Sequence, residues 1–543
     1  MRRSSIHTIT AISCLLFGAA AWRLGPHSYS DFAVQAQTAQ KFATPPAAVQ
    51  SDGSTAKLQP VSATVTTTPA KAGANIPALQ LAPGTEIYTA KRGESIPTIA
   101  HHYLGQTSYL TSSELAEAIR QVNGDRTGNI LKANENIVIP GILPEPIVEK
   151  TVAVPKDFEV RAIYLTGVMA ASDHGLRIVR HWREVGGNAV VFDIKDSDGS
   201  VNIPFEHPLL GKHQVYIHDV PKFVRFLHSQ NMHAIARVAI FRDERMVKEH
   251  PELAVQSKKN HAPWRENGKL VWTDSSNPKV QDYNIALAKH VAQLGADEIQ
   301  FDYVRFPAEG DQKDASFVFQ TEQESCGDGR LGRPADAKQG GTSTGADSCK
   351  ASHTMQRSDV ITAFLKKAYA EIHPTGALLS LDVFGVMAWQ RQVDLSHTGQ
   401  DIVGMAKYCD VLSPMIYPSH FFGMDNIEHP GDAPEHFIGE SMQRFELITK
   451  GSGVVIRPWL QAFRWRTKTY SPEYIKVQVA TAKEKGGIGF LFWNAANDYS
   501  KPYEAMPEMK AANAKEPSKD KAKYFRGDEL RGAIVQAALT PAR

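Results

Sequence analysis

The chain has 543 residues, which is enough for more than one domain and for at least one large buried core. It carries 60 basic and 58 acidic residues, so its formal net charge is only +2. Without a strong field of one sign, composition gives no reason to expect nucleic acid or an acidic polymer as a partner.

The first residues have the layout of a secretory signal. Arg2 and Arg3 precede an apolar stretch, residues 9–21, that ends in Gly-Ala-Ala-Ala. This stretch is shorter than the ~18 to 20 residues that a membrane-spanning helix needs. We therefore predict that residues 1–24 are a cleaved signal peptide and that the protein is exported to the periplasm or cell envelope. An uncleaved amino-terminal anchor is the alternative, and it is the only membrane contact that the sequence suggests.

Export makes the cysteines informative, because disulfides persist in oxidising compartments. Cys14 lies inside the signal, whereas Cys326 and Cys349 flank a stretch rich in Gly, Asp, Ser and Thr. We predict that these two form a disulfide that closes a loop. Cys409 begins the apolar run CDVLSPMIY and is expected to be a buried thiol.

The segment after the signal is not expected to fold. Residues 25–80 are rich in Ala, Thr, Pro, Gln and Ser and contain few large apolar side chains. Such a composition cannot bury enough surface to offset the entropy of ordering the chain. We predict a disordered linker.

Residues 81–143 contain two short strand-like runs, EIYT and NIVIP, around two amphipathic helices. Ser95 is predicted to cap the first helix, and Asn123 to end the second. With Tyr88 and the closing Ile-Pro pair, this order resembles a LysM domain, although the sequence KANENIVIP lacks the usual Pro-Gly pair before the last strand. The resemblance implies binding to peptidoglycan or another N-acetylglucosamine polymer. A spacer that binds nothing is the alternative.

From residue 155 to residue 510, strand-like runs alternate with helix-like ones. The eight strand-like runs are VRAIYLTG, NAVVFDIKD, MHAIARVAIF, DEIQFDYVRF, ALLSLDVFGV, CDVLSPMIY, GVVIRPWLQAF and GGIGFLFWN. Eight strands with helical crossovers predict an α/β fold of the (β/α)₈ TIM-barrel type. An open doubly wound sheet is the alternative, but no Gly-rich phosphate loop follows the first strand.

Chemistry in such a barrel collects at the carboxyl ends of the strands, where alternate side chains face the axis. This alternation places Asp302 and Gln300 on the same side of strand four. Polar or aromatic residues also end strands two, three and five to eight on the axis side; they are Asp193, Lys195, Arg237, Ser380, Asp382, Ser413, Tyr417, Trp459, Gln461, Trp493 and Asn494. Simple ion pairs, Asp193 with Lys195 or Asp302 with Arg305, are the alternative reading of these charges.

Several strings in this region are similar to the DUF4015 family of glycosyl hydrolase-like barrels. They are FDYVRFP, FDIKDSDG, ARVAIFRD, LDVFG and LSPMIYPSHF, and the resemblance spans most of residues 158–500. It implies a TIM-barrel sugar hydrolase related to the α-amylase-like superfamily. It does not identify a substrate.

Glycoside hydrolysis needs one carboxyl group to protonate the leaving oxygen and another to act as nucleophile or to activate water. By analogy with amylase-like barrels, we predict Asp302 as the nucleophile or base and Asp382 as the acid. The acid in those barrels is usually Glu, so Asp382 departs from the pattern, and Asp193 is held as a reserve carboxylate. The residues predicted to bind substrate or orient the carboxylates are Lys195, Arg237, Arg305, Tyr417, Trp459, Gln461, Trp493 and Asn494.

The sequence predicts no metal site and no cofactor. The DSDG string at residues 196–199 has only part of a calcium-loop spacing and is predicted to be a turn. Residues 309–353 form a long insertion after strand four, which is either a lid or wall of the substrate cleft or a disulfide-closed loop without a role in binding. Residues 511–543 are predicted to be a solvated polar tail.

Two classes of function are consistent with these patterns. The first is an exported glycoside hydrolase that cleaves an envelope or extracellular polysaccharide, with the LysM unit raising the local substrate concentration. The second is a catalytically inactive barrel that binds a glycan or a partner in the envelope.

Overall fold

The computed structural model describes residues 83–124, 128–320 and 354–515. The chain divides between Pro146 and Ile147 into two compact units. The predicted signal, the linker, the Cys326–Cys349 disulfide and nearly all of the polar tail lie outside the described residues. In the part of the chain that the structure does describe, no helix combines the length and the apolar character needed to cross a bilayer.

The amino-terminal unit has the predicted strand, helix, helix, strand order. Its elements are β1 (Thr85–Thr89), α1 (Ile96–Tyr103), α2 (Ser112–Val122) and β2 (Asn136–Pro140). The two strands pair antiparallel, and the helices bury Ile96, Ile99, Leu115 and Ile119 against Ile137. A small apolar core therefore holds the four elements together, while the LysM resemblance stays a prediction.

Side-chain hydrogen bonds fix the ends of both helices. The Ser95 hydroxyl accepts from the Thr98 amide, as an N-cap does. The Asn123 side-chain amide donates to the carbonyl oxygens of Ile119 and Val138, at 2.7 and 2.9 Å, and its Oδ1 accepts from the Val138 amide at 3.0 Å. One side chain thus joins the end of α2 to the central residue of β2.

Substituting Asn123 by Ala is expected to destabilise this unit by about 2 kcal/mol, because three hydrogen bonds are lost and partly buried backbone groups lose their partners. Hydrogen exchange of the β2 amides in the full-length protein measures the effect. Asn136→Ala is the matched control, since its exposed side chain makes one hydrogen bond, to Thr89. Equal loss of protection in both variants would contradict the role of Asn123.

The second unit contains a closed barrel of eight parallel strands. The strands of this unit, in chain order, are β3 (Val160–Leu165), β4 (Ala189–Lys195), β5 (His233–Ala239), β6 (Gln256–Ser257), β7 (Arg265–Glu266), β8 (Leu270–Val271), β9 (Glu298–Asp302), β10 (Ala315–Ser316), β11 (Leu378–Phe384), β12 (Val411–Ile416), β13 (Val455–Ile456), β14 (Trp459–Gln461) and β15 (Gly489–Trp493). The order around the barrel is β3, β4, β5, β9, β11, β12, β14, β15 and back to β3. The predicted TIM barrel is confirmed, and the open doubly wound sheet is excluded.

A helix or pair of helices follows each barrel strand. The helices are α3 (Gly167–Ala170), α4 (Asp173–Glu184), α5 (Val220–Ser229), α6 (Glu244–Glu249), α7 (Pro278–Gln293), α8 (Arg357–Ile372), α9 (Gln392–Thr398), α10 (Ile402–Met405), α11 (Pro434–Ile448), α12 (Pro472–Glu484) and α13 (Ser500–Lys515). Their apolar faces bury side chains such as Trp182 and Phe364 against the outer face of the barrel.

The seventh barrel strand is interrupted, which the sequence pattern did not predict. The run GVVIRPWLQAF forms two short strands, β13 and β14, on either side of Arg457 and Pro458. Proline has no amide hydrogen to donate to a neighbouring strand, so the ladder breaks there.

The first part of the predicted insertion is folded into the barrel unit. β10 pairs antiparallel with β6, and the Phe306 ring packs against Phe317 and Phe319. The Arg357 guanidinium lies over the Phe306 and Phe317 rings, at 5.2 and 4.8 Å. Residues 309–320 therefore belong to the packed wall of the unit, whereas residues 321–353 lie outside the described residues.

An ion-pair network occupies the amino-terminal end of the barrel interior. Arg457 Nη1 donates to Glu298 at 2.8 Å, and His233 Nε2 lies 3.0 Å from the same carboxylate. All three side chains are buried. Burial opposes ionisation of Glu298, but Arg457 and His233 outweigh it and lower the pKa of Glu298 to about 2.

Candidate active site

Two carboxylates meet one arginine at the carboxyl end of the barrel. Arg237 donates from Nε and Nη2 to Asp302 Oδ2, at 3.1 and 2.6 Å, and from Nη1 to Asp193 Oδ1, at 2.5 Å. The Tyr164 hydroxyl donates to the other oxygen of Asp193. The planar guanidinium is thus clamped between two carboxylates, which fixes the orientation of all three charged groups.

Strand register explains why these side chains meet. Asp193 of β4 stands opposite Arg237 of β5, and Ala239 of β5 stands opposite Asp302 of β9. Side chains of the same parity on neighbouring parallel strands face the same side of the sheet, here the barrel interior. A buried carboxylate without a partner is costly, and Arg237 offsets part of that cost for both.

Asp382, on the neighbouring strand β11, has a different environment. Its Oδ1 accepts hydrogen bonds from Gln300 Nε2 at 2.8 Å and from the Trp459 indole at 2.7 Å. Burial and the charge of Asp302 raise the pKa of Asp382 well above its usual range, although Arg237 and these hydrogen bonds oppose the shift. Asp382 is therefore a carboxyl group disposed to hold a proton, as a general acid must.

The carboxyl groups differ in their access to solvent. Asp302 is 8% exposed, whereas Asp193 and Asp382 are each 1% exposed. Burial raises the pKa of Asp193 to about 7, against the opposing effect of Arg237. Asp302 is thus the carboxylate that an incoming ligand can reach most directly.

Backbone strain lies next to Asp302. Tyr303 has a φ angle of +52°, in the left-handed region that bulky residues rarely adopt. Its amide donates to Asp302 Oδ1 at 2.6 Å, and its hydroxyl accepts from Arg242 Nη1 at 3.1 Å. Strained conformations of this kind are concentrated at functional sites, where the surrounding structure holds them in place.

Aromatic rings also line the barrel mouth. Tyr164 stacks on Trp493 with 6.3 Å between ring centroids, and Tyr417 lies 6.0 Å from Trp493. Phe463 packs edge-on against both Tyr417 and Trp493, at 5.6 and 5.5 Å. Trp493 and Phe463 are half-buried, so they present apolar faces on which a sugar ring can stack.

The structure does not bring Lys195 into this site. The register of β4 against β5 shifts between Asp193 and Lys195, so the simple alternation of sides fails there. The Lys195 ammonium pairs with Asp243 at 2.8 Å and donates to Asn284 of α7 at 3.0 Å. Because of this bulge, the Lys195 side chain lies in the helix layer. The prediction that Lys195 lies beside the carboxylates is wrong.

Three other predicted substrate-binding residues make hydrogen bonds within the site. Trp459 is 1% exposed and orients Asp382 through its indole N–H. Gln461 accepts from the Ser419 amide and donates to Phe463 and Thr467, and Asn494 donates to the Ala462 carbonyl oxygen. These polar groups tie loops to the ends of the strands.

Arg305 is likewise enclosed. Its guanidinium lies over the Phe384 ring at 4.3 Å and the Trp272 ring at 4.6 Å, and Nη1 donates to the Phe306 carbonyl oxygen at 3.0 Å. Burial lowers its pKa. The partner of Asp302 is therefore Arg237 and not Arg305.

Two residues of the site escaped the sequence pattern. The alternation of side chains along β3 directs Tyr164 toward the barrel interior. Tyr164 lies in an apolar run, AIYL, so no polar neighbour distinguishes it in the sequence. Phe463 lies beyond the end of β14, where strand alternation no longer applies.

Cys409 is buried as predicted, and residues 196–199 form the predicted turn, with Gly199 at a φ of +90°. Within the described residues, no cluster of three or more His, Cys, Asp or Glu side chains is arranged for a metal ion.

The model of the family DUF4015, described as "Putative glycosyl hydrolase domain", matches residues 162–499. No curated protein matches the sequence.

Three solved structures illustrate the structural likenesses. A hypothetical protein from Ruminiclostridium thermocellum ATCC 27405 is 31% identical, with a TM-score of 0.32 over 41% of this chain and 97% of that one. The glycoside hydrolase domain of PgaB (BpsB) from Bordetella bronchiseptica is 11% identical, with a TM-score of 0.43 over 64% and 98%. The glycoside hydrolase domain of PelA from Pseudomonas aeruginosa is 9% identical, with a TM-score of 0.33 over 63% and 96%.

Proposed function

The chain belongs to the DUF4015 family, and on that premise we propose that its barrel is a glycoside hydrolase that cleaves a polysaccharide of the cell envelope or the extracellular space. The observation that supports this most directly is the contrast between two carboxyl groups on adjacent strands. Asp382 is buried and disposed to hold a proton, while Asp302 is more accessible and held by Arg237. Pairs of carboxyl groups with different environments divide acid and base roles in this way.

Each carboxyl group then has a defined task. Asp382 protonates the oxygen of the departing sugar, and Asp302 attacks the anomeric carbon or removes a proton from the attacking water. The Tyr303 amide and Arg237 hold the two oxygens of Asp302 in place before substrate binds. Asp193 and Tyr164 act as positioning residues, because they fix the guanidinium of Arg237 from its other side.

The neighbouring features are consistent with a polysaccharide substrate. The half-buried faces of Phe463 and Trp493 at the barrel mouth suit sugar rings, which stack on aromatic side chains. In this proposal, the amino-terminal unit is a LysM module that binds an N-acetylglucosamine polymer and raises the local substrate concentration. The secretory layout of residues 1–24 supports export to the periplasm or cell envelope.

Release of reducing ends from purified peptidoglycan and from a panel of envelope polysaccharides tests the proposal. The full-length protein is expected to turn over one of these polymers. If no polymer is cleaved although one is bound, the barrel is instead a glycan-binding protein without catalysis.

Substituting Trp459 by Phe is expected to lower kcat about three- to tenfold and to move the alkaline limb of the pH profile to higher pH. Asp382 must be protonated to act as the acid, so activity falls as the pH rises through its pKa. The indole N–H stabilises the carboxylate form, so losing it raises that pKa further. Trp182→Phe is the matched control, because its buried indole donates only to the Arg161 carbonyl oxygen. An unchanged alkaline limb in Trp459→Phe would argue against Asp382 as the acid.

A further inference from the structure

A series of aromatic rings extends from the barrel mouth toward the surface. Phe463 contacts both Trp493, at 5.5 Å, and His420, at 6.0 Å. His420 lies 4.9 Å from Trp465, whose ring lies 5.8 Å from Phe422. The inner rings are part of the site described above, whereas Trp465 and Phe422 are half-buried and form its outer end.

One exposed cation packs on this outer end, and two more are exposed in the same loop. The Arg466 guanidinium lies over the Phe422 ring at 4.1 Å and over the Trp465 ring at 4.7 Å. Arg464 and Lys468 are exposed on either side in the same loop, residues 464–468. Within the described parts of the chain, none of the three forms an ion pair with a carboxylate. They are therefore available to an anionic ligand.

The two acidic residues near this loop, Asp432 and Glu428, differ in their contacts. Asp432 accepts hydrogen bonds from the amides of Lys468 and Thr469, at 2.7 and 3.0 Å. Burial opposes the effect, but the hydrogen bonds from Thr469 and Lys468 lower the pKa of Asp432. The exposed Glu428 lies 3.9 Å from His429, whose other contact is the Lys468 ammonium at 3.5 Å.

The loop is held in shape without a ligand. Arg466 has a φ angle of +48°, which is rare for a residue other than glycine. A Cβ atom on Gly431 would lie 2.3 Å from the Arg466 carbonyl oxygen, so the two backbones approach as closely as glycine permits. Gln461 donates to Thr467 at 2.9 Å and ties the loop to β14. A preformed loop loses little entropy on binding.

We propose that residues 464–468 and Phe422 form an outer subsite that binds a negatively charged group carried by the polysaccharide. This inference rests on the proposed function and adds the chemical class of the substrate. The Trp465 and Phe422 rings hold the Arg466 guanidinium in place, and the exposed cations Arg464, Arg466 and Lys468 select a sugar that bears a carboxylate or phosphate. The net charge of the whole chain is only +2, so the selection is local and arises after the polymer enters the cleft.

The test measures how tightly the full-length protein binds each of three soluble polymers. They are peptidoglycan strands with free carboxylates, the same strands after their carboxylates are converted to amides with a carbodiimide, and a polymer with phosphodiester links. Binding is measured in proteins that carry Asp302→Asn, so that the polymer is not cleaved. Turnover is measured in proteins that keep Asp302. Arg466→Gln is expected to weaken binding to one of the anionic polymers by about three- to tenfold at low salt, with less effect on the amidated strands. The anionic polymer that shows the larger loss identifies carboxylate or phosphate as the group bound.

Matched variants keep the result interpretable. Arg466→Lys should restore most of the binding, and Lys366→Gln, which removes an exposed cation from the outer face of α8, should leave it unchanged. Every variant retains the amino-terminal unit, so binding by that unit cancels in the comparison. Equal losses on charged and amidated strands, or no loss with Arg466→Gln, would overturn the proposal. Selective loss without turnover of any polymer would leave the subsite standing and remove the proposed hydrolase activity.

Discussion

Replacing Asp302 by Asn is expected to lower kcat by about 10²- to 10⁴-fold while the barrel stays folded. Asn has nearly the same shape but cannot act as a nucleophile or base. Arg237 keeps its ion pair with Asp193, so the substitution leaves no unpaired charge in the site. The measurement is release of reducing ends from the best substrate, with the folded state checked by thermal unfolding.

Two further variants sharpen this test. Asp311→Asn removes an exposed carboxylate that pairs with Lys259, and it should retain full activity. Asp382→Asn should also lose activity, because the leaving oxygen then has no proton donor. A small anion such as azide should restore turnover to Asp302→Ala if Asp302 is a nucleophile. A fully active Asp302→Asn protein would contradict the assignment of Asp302 as nucleophile or base.

The largest stability effect is expected at the other end of the barrel. Arg457→Met should destabilise the barrel unit by about 3 to 5 kcal/mol, because it leaves the fully buried Glu298 with His233 as its remaining ionic partner. Denaturant unfolding measures this loss. Arg391→Met, which removes an exposed pair with Asp394, is the control and should cost less than about 1 kcal/mol.

The loss of stability caused by Arg457→Met is expected to depend on pH. The pKa of Glu298 is lowered to about 2 in the native protein, so its ion pair contributes stability above the pKa of the unfolded chain. That contribution disappears as the pH falls through the folded value. Without Arg457, Glu298 takes up a proton more easily, so the difference between wild type and Arg457→Met should shrink as the pH is lowered. A second substitution, Glu298→Leu, should recover part of the loss, since an apolar pair can replace a buried ion pair.

Much of the architecture follows from local patterns. Eight strand-like runs alternate with amphipathic helices, and only a parallel barrel or a doubly wound sheet can use that order. Ser95 and Asn123 lie where the predicted helix ends require them. Strand parity also predicted that Asp302, Arg237 and Asp382 would face one another, because side-chain direction in a regular strand depends only on position along it.

The structure differs from the predictions where the alternation of side chains along a strand fails, or where a side chain contacts residues from distant parts of the chain. One extra residue in β4 turns Lys195 out of the barrel, and no local signal marks a bulge in an otherwise regular run. Trp459 became an orienting donor because its indole reaches a carboxylate two strands away. Phe463 lies in a loop whose path depends on hydrogen bonds from Gln461 to the Phe463 carbonyl oxygen and to Thr467.

The sequence by itself thus determined the order of the elements, the parallel barrel and the face on which the carboxylates lie, since these depend on periodicity along the chain. Only the tertiary structure decided which arginine pairs with Asp302, which carboxyl group is disposed to hold a proton and which aromatic rings remain accessible. Those properties depend on burial and on the distance between residues far apart in sequence. Neither quantity is contained in a local pattern.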